Sequence, residues 1–168
     1  AAAAPAARVS DADRAAARKA VLEHSPVNVL AEKHQWMVVT VPENPVAGED
    51  CVMYFNRNCS DPLRQRPRIC MQYGFNGWEL QGGLVDLYPA QVPRVEGCDF
   101  WSCKIKVPEE AFELNFVMTD NEGAYENNSG VDFMYPVLGG LTYEEWVEAA
   151  AQRAAAAAAA AMRPSCEP

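Results

Sequence analysis

The sequence predicts an all-β fold, an immunoglobulin-like antiparallel β-sandwich with flanking α-helices at both ends. Three observations predict it. Apolar residues alternate with a period of two through the middle of the chain, Pro and Gly punctuate that stretch at roughly ten-residue spacing, and alanine-rich segments with helix caps bracket it. The chain has 168 residues, and its low-complexity ends leave a globular part of one domain. The division read from this pattern is a helical leader or linker over 1–35, a β-sandwich module over 36–140, and an alanine-rich helical linker over 141–168.

The elements follow in order. Ser10-Asp11-Ala12-Asp13 supplies an N-cap for a helix that runs to about His24, where Ser25-Pro26 interrupts it. Trp36 to Val41 reads as a first strand and Cys51 to Asn56 as a second. Ile69, Met71 and Tyr73 alternate with Arg68, Cys70 and Gln72, which makes a strand. Trp101, Cys103, Ile105 and Val107 share one face of the next strand, opposite Ser102, Lys104 and Lys106. Phe112, Leu114, Phe116 and Met118 alternate with Glu113, Asn115, Val117 and Thr119, and Val131 to Tyr135 forms a short closing strand. Gly82-Gly83 reads as flexible. Thr142 and Glu145 have capping-box spacing, and a helix continues through Trp146 into the alanine run, with Pro164 as its stop. An alanine helix has little apolar bulk to dock, so it is expected to be a solvated spacer.

Composition excludes several functions. The formal charge of −9 repels a phosphate backbone, so nucleic acid is not a partner, and no apolar run is long enough to cross a bilayer. The six cysteines are too sparse for a disulfide scaffold, and none forms a Cys-x-x-Cys pair, so a reducing compartment is favoured and no metal or cofactor is implied. Asp120, Glu122, Glu126 and Asp132 could in principle pair for glycosidic hydrolysis, but a Gly- and Asn-rich turn is too wet to raise a carboxyl pKa for general acid work. His24 and His34 lie outside the sandwich, and no serine or cysteine has a nucleophile's context. The chain is therefore read as a binding module and not an enzyme.

Two loops carry the binding chemistry. Gly74-Phe75-Asn76-Gly77-Trp78 puts a tryptophan outside any alternating core pattern. Tyr125-Glu126-Asn127-Asn128 puts an aromatic inside a polar turn, followed at once by two amides. A pyranose ring presents an apolar C–H face and a polar rim, which a flat aromatic and short amides match. Taken singly, Trp78 could equally fold back as a hydrophobic lid, and the asparagines could merely satisfy the turn backbone.

From about Cys51 to Gly140 the chain resembles the starch-binding modules of carbohydrate-binding families 25 and 53, the latter found in tandem in class III starch synthases of plants and algae. The resemblance rests on Val52-Met53-Tyr54-Phe55-Asn56, Phe75-Asn76-Gly77-Trp78, Val107-Pro108 with Phe112 to Asp120, and Tyr125 to Phe133 with Pro136-Val137 and Gly139-Gly140. It implies a β-sandwich that binds starch, amylose or amylopectin chains, or maltooligosaccharides, without chemistry. It further implies tandem copies, a parent starch synthase, and a plastid stroma location at the starch granule. On this resemblance Trp78 and Tyr125 are the stacking aromatics and Asn127 and Asn128 the hydrogen-bonding amides, with Asn76, Gln72 and Cys70 completing the carbohydrate-binding set. Relatives often carry a histidine or tryptophan on the outward face of this strand where this chain has Cys70, so the resemblance implies either a shortened site or a hydrogen bond from Gln72 in its place. The rival reading is a sandwich domain that contacts another protein through the same exposed aromatics.

Overall fold

A computed structural model describes residues 9–93 and 96–163; Pro164 and Cys166 lie outside the described residues. Two helices come first. Ser10 caps α1 (Asp11–Glu23) in a full capping box with Asp13, as its spacing requires. The break at Ser25-Pro26 also starts a second, unexpected helix, α2 (Pro26–Glu32), because Ser25 caps it and Pro26 occupies the first turn, where its missing N–H costs nothing.

Eight strands follow: β1 (Val38–Val41), β2 (Asp50–Asn56), β3 (Ile69–Phe75), β4 (Leu80–Pro89), β5 (Phe100–Lys106), β6 (Glu113–Thr119), β7 (Tyr125–Glu126) and β8 (Phe133–Pro136). They pair antiparallel in the order β1-β2-β5-β4-β3-β6-β7, with β8 also on β6. The fold is mostly β, as expected, and takes the form of one curled sheet whose halves are joined by β4. That strand pairs with β3 along most of its length and with β5 at Tyr88 and Pro89.

β4 is the longest strand, and its Gly82-Gly83 pair had read as a flexible break. The glycines are there for close approach: a Cβ on Gly82 would collide with the backbone and ring of Tyr73, where β3 and β4 shift register.

The curl closes around a core of Met53, Phe55, Ile69, Met71, Leu114 and Phe116, all on the concave side. Phe116 stacks on Phe133 at 4.9 Å between centroids. On the convex side the two halves differ. Over β1 and β2, Val39, Val41 and Tyr54 pack with Leu30 of α2 and Ala20 of α1, and His24 Nε2 lies 2.7 Å from the Tyr54 hydroxyl. On the convex side of β3 and β4, Gln72 and Leu84 stay exposed beside the buried Val117 and Thr119 of β6, and this bare face carries the candidate site.

The last helix, α3 (Tyr143–Ala161), opens with the expected Thr142–Glu145 capping box. Its first turns dock: Trp146 is buried, and its indole N–H donates to Glu79 Oε2 at 3.2 Å, next to the Trp78 loop. The alanine turns beyond are exposed. No helix among the described residues is long and apolar enough to cross a membrane.

Candidate functional site

Residues directly opposite one another in an antiparallel sheet point to the same face, so the register assigns the members of the bare face. One row runs Asp86, Cys70, Thr119, Tyr125 across β4, β3, β6 and β7. The next holds Leu84, Gln72 and Val117. The next holds Gly74 and Asn115, and the Trp78 ring lies over Gly74, its Cε3 only 3.0 Å from where a glycine Cβ would stand. Trp78 and Tyr125 therefore flank one face, separated by the row containing Gln72. A shallow groove of about 520 Å³ runs along it past Trp78, Gln72, Leu84 and Asn121.

Trp78 is held in an unusual pose. Asn76, Gly77 and Trp78 all have positive φ, at 56°, 69° and 68°, a region a bulky residue enters at a cost of about 1–2 kcal/mol. Two buried asparagines impose it. Asn115 Oδ1 accepts from the backbone N–H of Gly77 at 2.9 Å and of Trp78 at 3.4 Å, while its Nδ2 donates to Glu113. Asn76 Oδ1 accepts from Phe112 N–H at 2.8 Å and Glu113 N–H at 3.3 Å, and its Nδ2 donates to the Glu110 carbonyl. The indole N–H of Trp78 donates to Asp132 Oδ2 at 3.2 Å, which fixes the ring while leaving it 39% exposed.

The facing loop is similarly constrained. Asn128, Ser129 and Asp132 have positive φ. Asn127 Oδ1 accepts from Gly130 N–H at 3.0 Å, and Asn128 Nδ2 donates to the Asp132 carbonyl at 3.1 Å. Each amide thus spends one end on the loop, and its other end has no partner among the described residues. Tyr125 is 49% exposed at the head of this loop, and Gln72 is exposed between the aromatics.

Two of the expected contact residues stand elsewhere. Asn76 is 4% exposed with both ends of its amide committed to backbone, so it braces the tryptophan loop from beneath and cannot meet a ligand. Cys70 does lie on the bare face, but it is fully buried, with its thiol 3.2 Å from Asp86 Oδ1 under the Arg68–Asp86 ion pair. Burial, then the Asp86 hydrogen bond, push that thiol up to about 11. Sequence reasoning missed Asn115 and Asp132 as positioning residues; no local signal marks them, since each acts on a loop far away in the chain.

Asp120 has the opposite of a general acid's character. Its carboxylate accepts from the N–H groups of Glu122 and Ala124 at 2.8 and 2.9 Å, and these bonds hold its pKa below the usual carboxylate range. Its job is to fold the turn that leads to Tyr125.

Residues 51–116 match the family model of a starch/carbohydrate-binding module, family 53. The match includes Gln72, Asn76, Trp78 and Asn115 and ends before Tyr125. The chain is 30% identical over 126 residues to soluble starch synthase 3, chloroplastic/amyloplastic, of Solanum tuberosum, covering 73% of this chain and 10% of that protein. It is 32% identical over 107 residues to soluble starch synthase 3a of Oryza sativa subsp. japonica, covering 64% of this chain and 5% of that one. Starch synthase 3 of Arabidopsis thaliana is 27% identical over 124 residues, covering 74% and 11%. The chain thus spans about a tenth or less of the length of these relatives. No solved structure matches it. The family and these relatives support carbohydrate binding by a non-catalytic module.

Proposed function

We propose that this module binds α-1,4-glucan chains of starch across the bare face of β3, β4 and β6. Trp78 and Tyr125 act as stacking platforms, and Asn127, Asn128 and Gln72 hydrogen-bond glucose hydroxyls. The observation that carries the reading is the Trp78 loop: an exposed indole kept in a costly backbone conformation by two buried asparagines and an aspartate. Strain of that kind concentrates at binding sites, where it pre-organises a contact surface.

The platforms are set apart by four residues along the strands and two strands across, about 13 Å by about 10 Å before the side chains reach inward. A curved chain of several glucose units spans that diagonal, touching both rings and leaving Gln72 beneath its middle. Each stacked ring contributes about 1 kcal/mol and each amide bond about 1 kcal/mol net, which places affinity in the micromolar to millimolar range after association entropy.

Weak modules act through tethering, which raises the effective concentration of a linked enzyme at the polymer surface. By the names of its relatives, that enzyme is a starch synthase in a plastid, and the module holds it at the granule, in tandem with further copies. In this reading residues 1–35 and 141–168 connect the module to its neighbours. The curled sheet corresponds to the two layers of an immunoglobulin-like sandwich that share β4.

Sedimentation with insoluble starch tests the proposal. The module is expected to pellet with granules and to be released by soluble maltooligosaccharide, and Trp78→Ala or Tyr125→Ala is expected to lose retention with an unchanged far-UV spectrum. Undiminished retention of Trp78→Ala would overturn it.

A further inference from the structure

The curled sheet has a seam, where edge strand β1 comes round to β8 at the opposite edge. One end of the seam is stitched by a parallel bridge between Val46 and Leu138, with Ala47 N–H donating to the Leu138 carbonyl at 2.9 Å and Leu138 N–H to the Pro45 carbonyl at 2.8 Å. Beyond that stitch the seam opens into a groove of about 260 Å³, between Val38–Thr40 on one side and Tyr135 and Pro136 on the other.

Trp36 stands at the mouth of this groove. It is 57% exposed, the most open tryptophan among the described residues and more open than Trp78. Lys33 Nζ lies 5.4 Å from the ring centroid and 3.9 Å from Glu43 Oε1, which steadies the indole by a cation–π contact. The turn opposite is fixed by Thr40 Oγ1 donating to the Glu43 carbonyl at 2.8 Å. Residues lining the groove carry groups with no hydrogen-bond partner among the described residues: the Trp36 indole N–H, the amide of exposed Asn44, and the hydroxyl of half-buried Tyr135, whose ring is packed edge-on against Phe116 at 5.4 Å.

A flat apolar ring beside an unpaired hydroxyl, amide and indole N–H is the chemistry that recognises a pyranose: its C–H face stacks and its hydroxyls find donors and acceptors. A protein interface of ordinary size needs a much wider apolar patch than one tryptophan. We infer that the seam groove is a second carbohydrate site, with Trp36 as platform and Tyr135 and Asn44 as polar contacts, taking an α-glucan end or loop. The inference rests on the module being a glucan binder. The seam lies beyond β8, the neighbour of β6, and shares no lining residue with the Trp78 groove, so one module engages two chains or two segments of one chain, and its retention on a branched polymer exceeds that of either site alone.

The indole N–H resonances of the intact module, titrated with maltoheptaose, separate this inference from the proposed function. Trp101 donates to Asp99 and lines neither groove, so its signal serves as the stationary reference. Saturable movement of the Trp36 signal supports the second site. Trp36→Ala is then expected to reduce calorimetric stoichiometry from two glucan sites to one with the Trp78 signal still responding, and Tyr135→Phe to weaken the Trp36 response severalfold. If only the Trp78 signal moves, the proposed function stands, the seam site is overturned, and Trp36 is left as a protein contact. If only the Trp36 signal moves, the seam site stands and the Trp78 face fails; if neither moves, both fail.

Discussion

Replacing Trp78 by alanine and, separately, by glycine measures the loop conformation on which the site depends. Both variants lose the same ring, the same burial and the same indole bond to Asp132, so these costs cancel between them. What remains is the backbone. At an ordinary position glycine is less stable than alanine by about 0.5–1 kcal/mol, because it gives up more freedom on folding. At a φ of 68° the order reverses: alanine bears the left-handed cost of about 1–2 kcal/mol and glycine does not. Trp78→Gly is therefore expected to be the more stable variant by about 1 kcal/mol, a shift of roughly 2–4 °C in midpoint for a domain of this size. Urea and thermal unfolding followed by far-UV dichroism read the difference, and starch sedimentation of the same samples is expected to show both variants released from granules. If alanine proves equal to or more stable than glycine, Trp78 does not occupy the left-handed region in solution. The pre-organised platform would then lose its basis, whatever the binding assay shows.

Asn76→Ala leaves two buried backbone N–H groups and one carbonyl without their partner, so it is expected to cost about 2–4 kcal/mol of stability in urea unfolding, far more than a solvent-facing sugar contact would. Stability is also expected to fall in acid. Asp120, Asp86 and Asp13 all have carboxyl pKa values held below the usual range, by backbone N–H bonds, by Arg68 and by Ser10 respectively, so the stabilisation they supply is complete above the unfolded-chain value of about 4 and is lost as pH drops through the folded values. A urea midpoint that holds steady from neutral pH to about 5, declines below it, and declines less steeply in Asp120→Asn checks the sign; an Asp120→Asn profile parallel to the parent's would refute the role given to that carboxylate.

How much of this was legible in the sequence differs from element to element for physical reasons. The strand over Glu113–Thr119 could be read from its alternating residue types, although both of its faces are buried, and both helix caps could be read because their geometry is local. β4 could not, since glycines that permit close approach to Tyr73 look the same in sequence as glycines that permit flexibility. The resemblance puts Cys70 on the outward face, where it lies, yet it is buried with its thiol against Asp86, 16 residues away in the chain. Asn76 and Asn115 show the same limit: an amide's donor and acceptor serve a sugar or a buried backbone equally well, and only the tertiary partner decides.

The distribution of helices over the convex surface explains why the binding chemistry sits where it does. A curled sheet has one concave core, and its outer face must be covered or be polar. Over β1 and β2 the outer positions are Val39, Val41 and Tyr54, and the leader helices cover them. Over β3 and β4 the outer positions are exposed Gln72 and Leu84 and half-buried Asp86, which water tolerates, while Val117 and Thr119 of β6 are buried beside them. That half of the surface is free to present aromatics, and the chain delivers them from the ends of strands: Trp78 from the β3–β4 turn and Tyr125 from β7. Each is braced by side chains whose bonds are already made before any ligand arrives. On the proposed function, a glucan arriving at such a face meets surfaces whose ordering cost was met during folding, which would let a small, shallow site retain a polymer.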